Sequence, residues 1–305
     1  MKKNLLGQSE LESSRLVYGC MRITGDNSTE DREKGKRAIR AALDAGYNHF
    51  DHADIYGKGE CESWFGEVLA EEPGLREHLI ITSICGIRWA DDPEAGDPHR
   101  YDFSYQYIIE SVEGSLERLG VEALDMLLLH RPDYLFSAAE VATAFETLKE
   151  NGMVRHFGVS NFKPSQARLL RSQCSCPLLV NQVEINIHNI DALLDGTLDY
   201  CQQKKITPQA WCPLGGVAYP AWGNTFSAED EGRIRLEFER QAKKYETEAW
   251  IVMLAWLLEH PAGIMPIIGS TNPGRIQAAT TALGIDYSRE DWYRLLEARS
   301  GQEVP

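Results

Sequence analysis

The stretch Leu124-Asp125-Met126-Leu127-Leu128-Leu129-His130 is a short run of large apolar side chains closed by an imidazole. A run of this length bounded by polar residues predicts a strand buried on both faces, because a buried helix needs ten residues or more. Seven similar runs lie around it, at 16–19, 48–51, 79–83, 155–160, 179–184, 207–211 and 264–269. Most close on a residue with chemical capacity: Asp51, His130, Asn161, Gln182, Trp211 and Ser270. Segments with helical spacing separate most of the runs, at 31–45, 60–70, 104–119, 138–150, 163–172, 191–203, 229–245, 247–259, 275–283 and 288–298. Eightfold strand–helix alternation predicts one α/β domain over residues 1–305, a closed parallel (β/α)8 TIM barrel with its chemistry at the carboxyl ends of the strands.

The helices carry their own start and stop signals. Ser28 or Thr29 stands where the first can be capped, and Gly46 stops it. Pro164 sits in the first turn of 163–172, where a missing N–H costs little. Trp250, Trp256 and Trp292 read as helix-packing residues rather than an interface. Two connections are too long for bare turns: 86–103, with Pro93, Gly96 and Pro98, and 214–228, with Gly215, Gly216, Pro220 and Gly223. Loops of this size are usually lids or binding loops. Both leave carboxyl ends of strands, so Trp89, Tyr101, Tyr219 and Trp222 are candidate pocket residues.

Composition narrows the function class. With 31 Lys and Arg against 46 Asp and Glu, the net charge is −15, which disfavours nucleic acid and anionic membrane as partners. It leaves room for an anionic cofactor held by local cations or a helix amino terminus. No stretch approaches the ~18 apolar residues of a membrane helix. The amino terminus has two lysines but no apolar segment after them, so no secretory signal is expected. Seven cysteines in no framework spacing read as reduced thiols of a cytoplasmic protein. His49, His52, His130, His156 and His188 are scattered without ligand spacing, so no metal site is expected, and His49 and His156 read as structural. The sequence does not fix an oligomeric state.

The chemistry gathers at strand ends. Asp51 and Tyr56 lie five positions apart at the second, and His130 closes the fourth. If Tyr56 and His130 converge, they offer two donors toward one substrate oxygen, which suits carbonyl reduction because that oxygen gains charge as hydride arrives. Ser160, Asn161 and Gln182 form a polar set able to grip a planar carboxamide, and Trp211 offers a face for ring stacking. Ser270 precedes a short helix bearing Arg275, where barrels commonly place a phosphate site. No Gly-x-Gly-x-x-Gly follows a strand, so a Rossmann site is not supported.

The segments Asn48-His49-Phe50-Asp51-His52-Ala53-Asp54-Ile55-Tyr56-Gly57, Leu127-Leu128-Leu129-His130-Arg131-Pro132, Arg155-His156-Phe157-Gly158-Val159-Ser160-Asn161-Phe162, Asn181-Gln182-Val183-Glu184, Ala210-Trp211-Cys212-Pro213-Leu214-Gly215-Gly216 and Pro266-Ile267-Ile268-Gly269-Ser270, in this order, resemble the aldo-keto reductase family, in a bacterial oxidoreductase branch. The resemblance implies NADPH bound in extended form, with NAD(H) as the alternative, and hydride transfer to a small-molecule aldehyde or ketone. It implies Tyr56 as general acid, Asp51 as its partner and His130 as the group orienting the carbonyl. Ser160, Asn161, Gln182 and Trp211 would hold the nicotinamide. Pro213, Leu214, Gly215 and Gly269 would line the cofactor groove, and Ser270, Asn272 and Arg275 would face the adenosine 2′-phosphate.

The sequence departs from the family pattern at three places. Ile84 stands where the family's third strand carries a catalytic lysine, Ala278 and Ala279 stand where Glu and Asn hold the adenine, and Gly269 replaces an occasional lysine. A cation beside a phenol lowers its pKa from ~10, and isoleucine takes that help away. The expectation is a reductase of lowered rate. The alternative is a weak or inactive NADP(H)-binding regulatory or interaction protein on the same scaffold.

Overall fold

The computed structural model describes residues 1–25, 29–219 and 226–304. Ser28, Pro220, Trp222 and Gly223, singled out above, lie outside them. Eight strands close into a parallel barrel in chain order: Val17–Gly19, His49–Asp51, Ile80–Cys85, Leu124–Leu129, Val154–Ser160, Leu178–Glu184, Thr207–Trp211 and Met265–Ile268. The last pairs with the first, Ile268 opposite Tyr18, so no barrel edge is left open.

Side chains along a strand alternate between its two faces, and here both faces are buried. Val17, Ile80, Ile84, Met126, Leu128, Val180, Met265 and Ile267 fill the barrel interior. The opposite phase, with Tyr18, Phe50, Ile81, Leu127, Leu129 and Phe157, packs against the helices. This explains why the strands read as continuous apolar runs rather than as alternation. Each fully buried Leu, Ile or Phe contributes about 1.5–3 kcal/mol, so the two layers together define one core.

The helices follow the sequence signals closely. Tyr105–Leu119 starts on a Ser104 cap that accepts from Tyr107 N and stops at Gly120, φ 65°. Ala138–Glu150 starts on a Ser137 cap. The expected helix over 191–203 is broken into Asp191–Leu194 and Thr197–Lys204, because Gly196 takes φ 81°. The expected 275–283 starts earlier, as Pro273–Ala279, and tightens into a 3-10 turn, Thr280–Gly284.

Two small hairpins carry no strong periodic signal. Lys3–Leu5 pairs with Glu12–Ser14, and Leu6 joins the barrel interior, sealing the end away from the active site. Ile87–Arg88 pairs with Arg100–Tyr101 inside the long connection 86–103. Trp256 and Trp292 stack at 5.0 Å and 7° between ring planes, and each indole N–H donates to the other's carbonyl at 3.1 Å.

Candidate active site

A cavity of about 1270 Å³ opens over the carboxyl ends of the strands. Asp51 ends the second strand and is 3% exposed. Its Oδ1 accepts from Gln182 Nε2 at 2.8 Å, across the barrel. Burial pushes its carboxyl up to about 7, and the bond from Gln182 opposes that without cancelling it. No cation among the described residues forms a salt bridge with it. Ile84 is fully buried in the interior cluster with Ala53, Met126 and Leu128, and Ile55 and Tyr56 pack on that cluster. The slot of barrel interior against which Tyr56 packs is therefore apolar, and Ile84 does not itself line the cavity.

Tyr56 opens a short turn, Tyr56–Gly59, in which Gly57 and Lys58 have φ of 57° and 56°. Glycine tolerates that region, while lysine adopts it at a cost of order 1 kcal/mol. Tyr56 N donates to Ala53 O at 3.0 Å, folding the turn back over the strand end. The ring lies 6.0 Å from that of His130 at 82°, both in the cavity wall. Burial, then Asp51, raises the phenol well above its ordinary value, and no cation offsets them. The hydroxyl is therefore a proton-bearing acid at neutral pH.

His130 follows the fourth strand, fixed by its own N–H to Cys85 O at 2.8 Å. Burial and the adjacent Arg131 hold its imidazole down at about 4, so the ring is neutral. Its Nδ1 is buried without a partner. A neutral imidazole carries one N–H, and Nε2 is the nitrogen left accessible to a ligand.

The amide set surrounds the next three strand ends. Asn161 takes φ 61°, a left-handed conformation that Asn accepts more readily than most residues. Its Nδ2 donates to His130 O and Ser160 Oγ, each at 3.0 Å, and its Oδ1 accepts from Trp211 Nε1 at 2.9 Å. The indole plane is thus locked. Gln182 Nε2 also reaches Gln209 Oε1 at 3.4 Å, while its own Oε1 takes no donor among the described residues.

The far end is built by the last strand and the helix after it. Gly269, Ser270 and Arg275 line the cavity, and Tyr18 Oη donates to Ser270 O at 3.0 Å. Arg275 is exposed at the rim with no salt bridge among the described residues. Asn272 is not in the lining; its side chain caps the helix by accepting from Arg275 N at 3.1 Å.

The structure thus brings Asp51, Tyr56, His130, Ser160, Asn161, Gln182, Trp211, Pro213, Leu214, Gly269, Ser270 and Arg275 to one cavity, with Trp89 and Tyr219 from the two long loops. Tyr101 stands away from it: its backbone pairs with Ile87 and its ring packs 6.1 Å from Tyr134. Gly215 stands behind the lining, bridged to Tyr219. Trp250, read as a packing residue, does pack against the core and also lines the cavity, donating to Glu248 Oε2 at 2.9 Å. Arg22, Lys58 and Arg131 also line it. For Arg131 the signal was its place directly after His130; for Trp250 and Glu248 it was their place at a helix start, which in a barrel can face the strand ends.

His49 is structural, with Nδ1 on Ser13 Oγ at 2.9 Å and Nε2 on Thr82 Oγ1 at 2.8 Å. His156 faces Glu10 at 3.2 Å, away from the cavity. All seven cysteines are free thiols.

Comparison with known proteins places the chain in a family. A family model described as the aldo/keto reductase family matches residues 15–299. The uncharacterized oxidoreductase YcsN of Bacillus subtilis is 41% identical over 97% of both chains. A 6-dehydroglucose reductase of Agrobacterium fabrum is 38% identical over 97% of both. The solved glycerol dehydrogenase of Gluconobacter oxydans superposes with a TM-score of 0.85 at 25% identity, over 99% of this chain and 97% of that one. An oxidoreductase name and a barrel fold recur among these relatives, and the chain belongs to the aldo/keto reductase family.

Proposed function

We propose that the chain reduces an aldehyde or ketone to an alcohol with NADPH, at a rate lowered by Ile84. The observation that carries this is the meeting of Tyr56 and His130, 6.0 Å apart, at one end of a cavity whose other end holds Ser270 and Arg275. The residues present fit a dihydronicotinamide. Trp211 is held flat by Asn161, and Gln182 Oε1 is left to accept a carboxamide N–H. Arg275 and Ser270 would hold the 2′-phosphate, which favours NADPH over NADH.

When bound, the cofactor supplies a hydride to the carbonyl carbon. The protein supplies the rest. His130 Nε2–H orients the carbonyl oxygen, and the Tyr56 hydroxyl delivers the proton that neutralises it. Without a cation nearby the phenol donates less readily, so turnover falls by ~10²–10⁴ relative to a lysine-bearing site. Alcohol oxidation falls further, because it requires the phenolate that burial and Asp51 oppose.

The same apolar slot supports a second reading, an NADP(H)-binding regulatory protein. NADPH consumption against a carbonyl panel, with fluorescence titration of NADPH, separates the two. Turnover that Tyr56→Phe lowers by about tenfold or more, with NADPH affinity retained, supports the reductase. Tight NADPH binding with no turnover on any carbonyl overturns it in favour of the second. Arg275→Ala should weaken NADPH by about tenfold and NADH little, since one charge-assisted contact is worth ~1.5–3 kcal/mol. Equal loss for both would remove Arg275 from the 2′-phosphate.

A further inference from the structure

The cavity is cationic in an acidic protein. Among the described residues, Arg22, Lys58, Arg131 and Arg275 line it against Asp51 and Glu248, in a chain of net charge −15. Two of these cations match the phosphates of an extended dinucleotide. Arg275 lies at the Ser270 end, and Arg22 lies 5.4 Å from the Tyr219 ring, on the loop after the seventh strand. The other two are close in sequence to Tyr56 and His130 and line the same cavity. Arg131 directly follows His130, acts electrostatically on its ring, and holds its guanidinium 5.6 Å above Trp211. Lys58 is two residues past Tyr56 in the same turn.

Arg131 is half-buried, yet among the described residues no carboxylate pairs with it and no carbonyl accepts from it. A guanidinium has five donors in a planar fork, and those of Arg131 are left free for a ligand at the cavity wall. Buried Asp125 and Glu62 are matched: Asp125 has Arg76 and Arg155, and Glu62 has Arg118. Arg131, without such a match, stands in the cavity wall next to His130.

We infer that the substrate is an oxo acid, an aldehyde or ketone bearing a carboxylate that Arg131 grips in bidentate fashion, with Lys58 adding long-range attraction at the mouth. The carbonyl carbon would accept hydride from NADPH as the C=O π bond breaks, and its oxygen would take one proton from Tyr56, giving a hydroxy acid and NADP⁺; the carboxylate takes no part in bond making. This inference rests on the reductase reading above and narrows its substrate class.

The test uses the full chain and its Ile84→Lys form with 4-oxobutanoate, its methyl ester and glyceraldehyde as a neutral polyhydroxy aldehyde. The expected result is kcat/KM for 4-oxobutanoate at least ~10-fold above the ester, carried mainly by KM. Arg131→Met should bring that ratio close to one, Arg131→Lys should keep part of it, and Lys58→Gln should lower it less and make it less sensitive to salt. Using the ratio separates loss of carboxylate recognition from a general loss of activity through Trp211. Turnover with no preference for the carboxylate, or a preference for glyceraldehyde, overturns the inference and leaves the reductase reading standing. No turnover of any carbonyl in either background overturns the reductase reading itself.

Discussion

Asp51 and Asp291 are both buried carboxylates, and they lie in two regions that treat charge in opposite ways. Asp291 begins the last helix, Arg289–Ser300, and is 0% exposed. Arg240 reaches it at 2.5 Å, Tyr245 at 2.7 Å and Arg294 at 2.9 Å, with Lys244 closing the ring. Burial there works to raise its pKa, but Lys244, Tyr245, Arg240 and Arg294 outweigh it and hold the carboxyl far below the usual range. Asp51, at the barrel mouth, has one amide donor against its burial, and its carboxyl rises to about 7. Burial alone therefore does not set the state of an acid here; the number of cations aimed at it does. The helix layer uses a charge cluster as a clamp, while the barrel mouth leaves an acid that titrates near neutrality next to the proton donor.

The largest effect should come from giving Asp51 a cation. Ile84→Lys places an ammonium on a buried strand position in the interior cluster against which Tyr56 packs. Asp51 should then ionise at lower pH, the phenol should donate more readily, and turnover should rise by ~10²–10⁴. The readout is NADPH consumption on a carbonyl panel for both chains in parallel. Equal rates would show that the lost cation is not what limits the reaction.

The strand ends were legible in the sequence because a doubly buried strand is a dense apolar run, and the residue breaking it is by construction at a barrel end. Asp51, His130, Gln182 and Trp211 were found that way. Ile84 was legible only through the family resemblance, since isoleucine in a strand is otherwise unremarked. Two kinds of information were not legible. One is the direction of a loop side chain: Trp89 reaches the cavity while Tyr101, on the same connection, turns to Tyr134, because the hairpin between them reverses the chain. The other is charge pairing over long separations. Nothing local to Asp291 announces that Arg240 and Lys244 converge on it, and nothing local to Arg131 announces that it has no partner.

Asp291→Asn should give the next largest effect. The amide keeps donors and acceptors for Ser288 and Tyr245 but leaves Arg240, Lys244 and Arg294 converged without an anion. The cost should be about 3 kcal/mol, toward the low end for breaking a buried pair because the cationic partners are 42–50% exposed. Urea unfolding followed by circular dichroism measures it. A change under ~0.5 kcal/mol, typical of surface sites, would mean that water already screens the cluster and that the contrast with Asp51 is smaller than the geometry implies.

Asp51→Asn should act on stability through pH rather than at all pH. Burial raises the native carboxyl to about 7, from an ordinary aspartate value of 3.8. Between those values the folded chain holds a proton that the unfolded chain releases, so stability present at pH 4 is lost as pH rises through 7. A shift of three units carries up to ~4 kcal/mol by linkage, and water reaching the carboxyl through the cavity trims this to about 2 kcal/mol. His49, His52 and His130, held down at about 3 to 4 by burial, give the opposite slope, but they are common to both proteins and cancel in the difference. The difference in thermal midpoint, variant minus wild type, should therefore increase steadily from pH 4 to pH 8. Ile84→Lys should flatten the wild-type slope in the same window, because a paired Asp51 stays ionised when folded. A difference that is flat with pH would place Asp51 among the ordinary carboxylates, with a counterion or water doing at the barrel mouth what Arg240 and Lys244 do for Asp291.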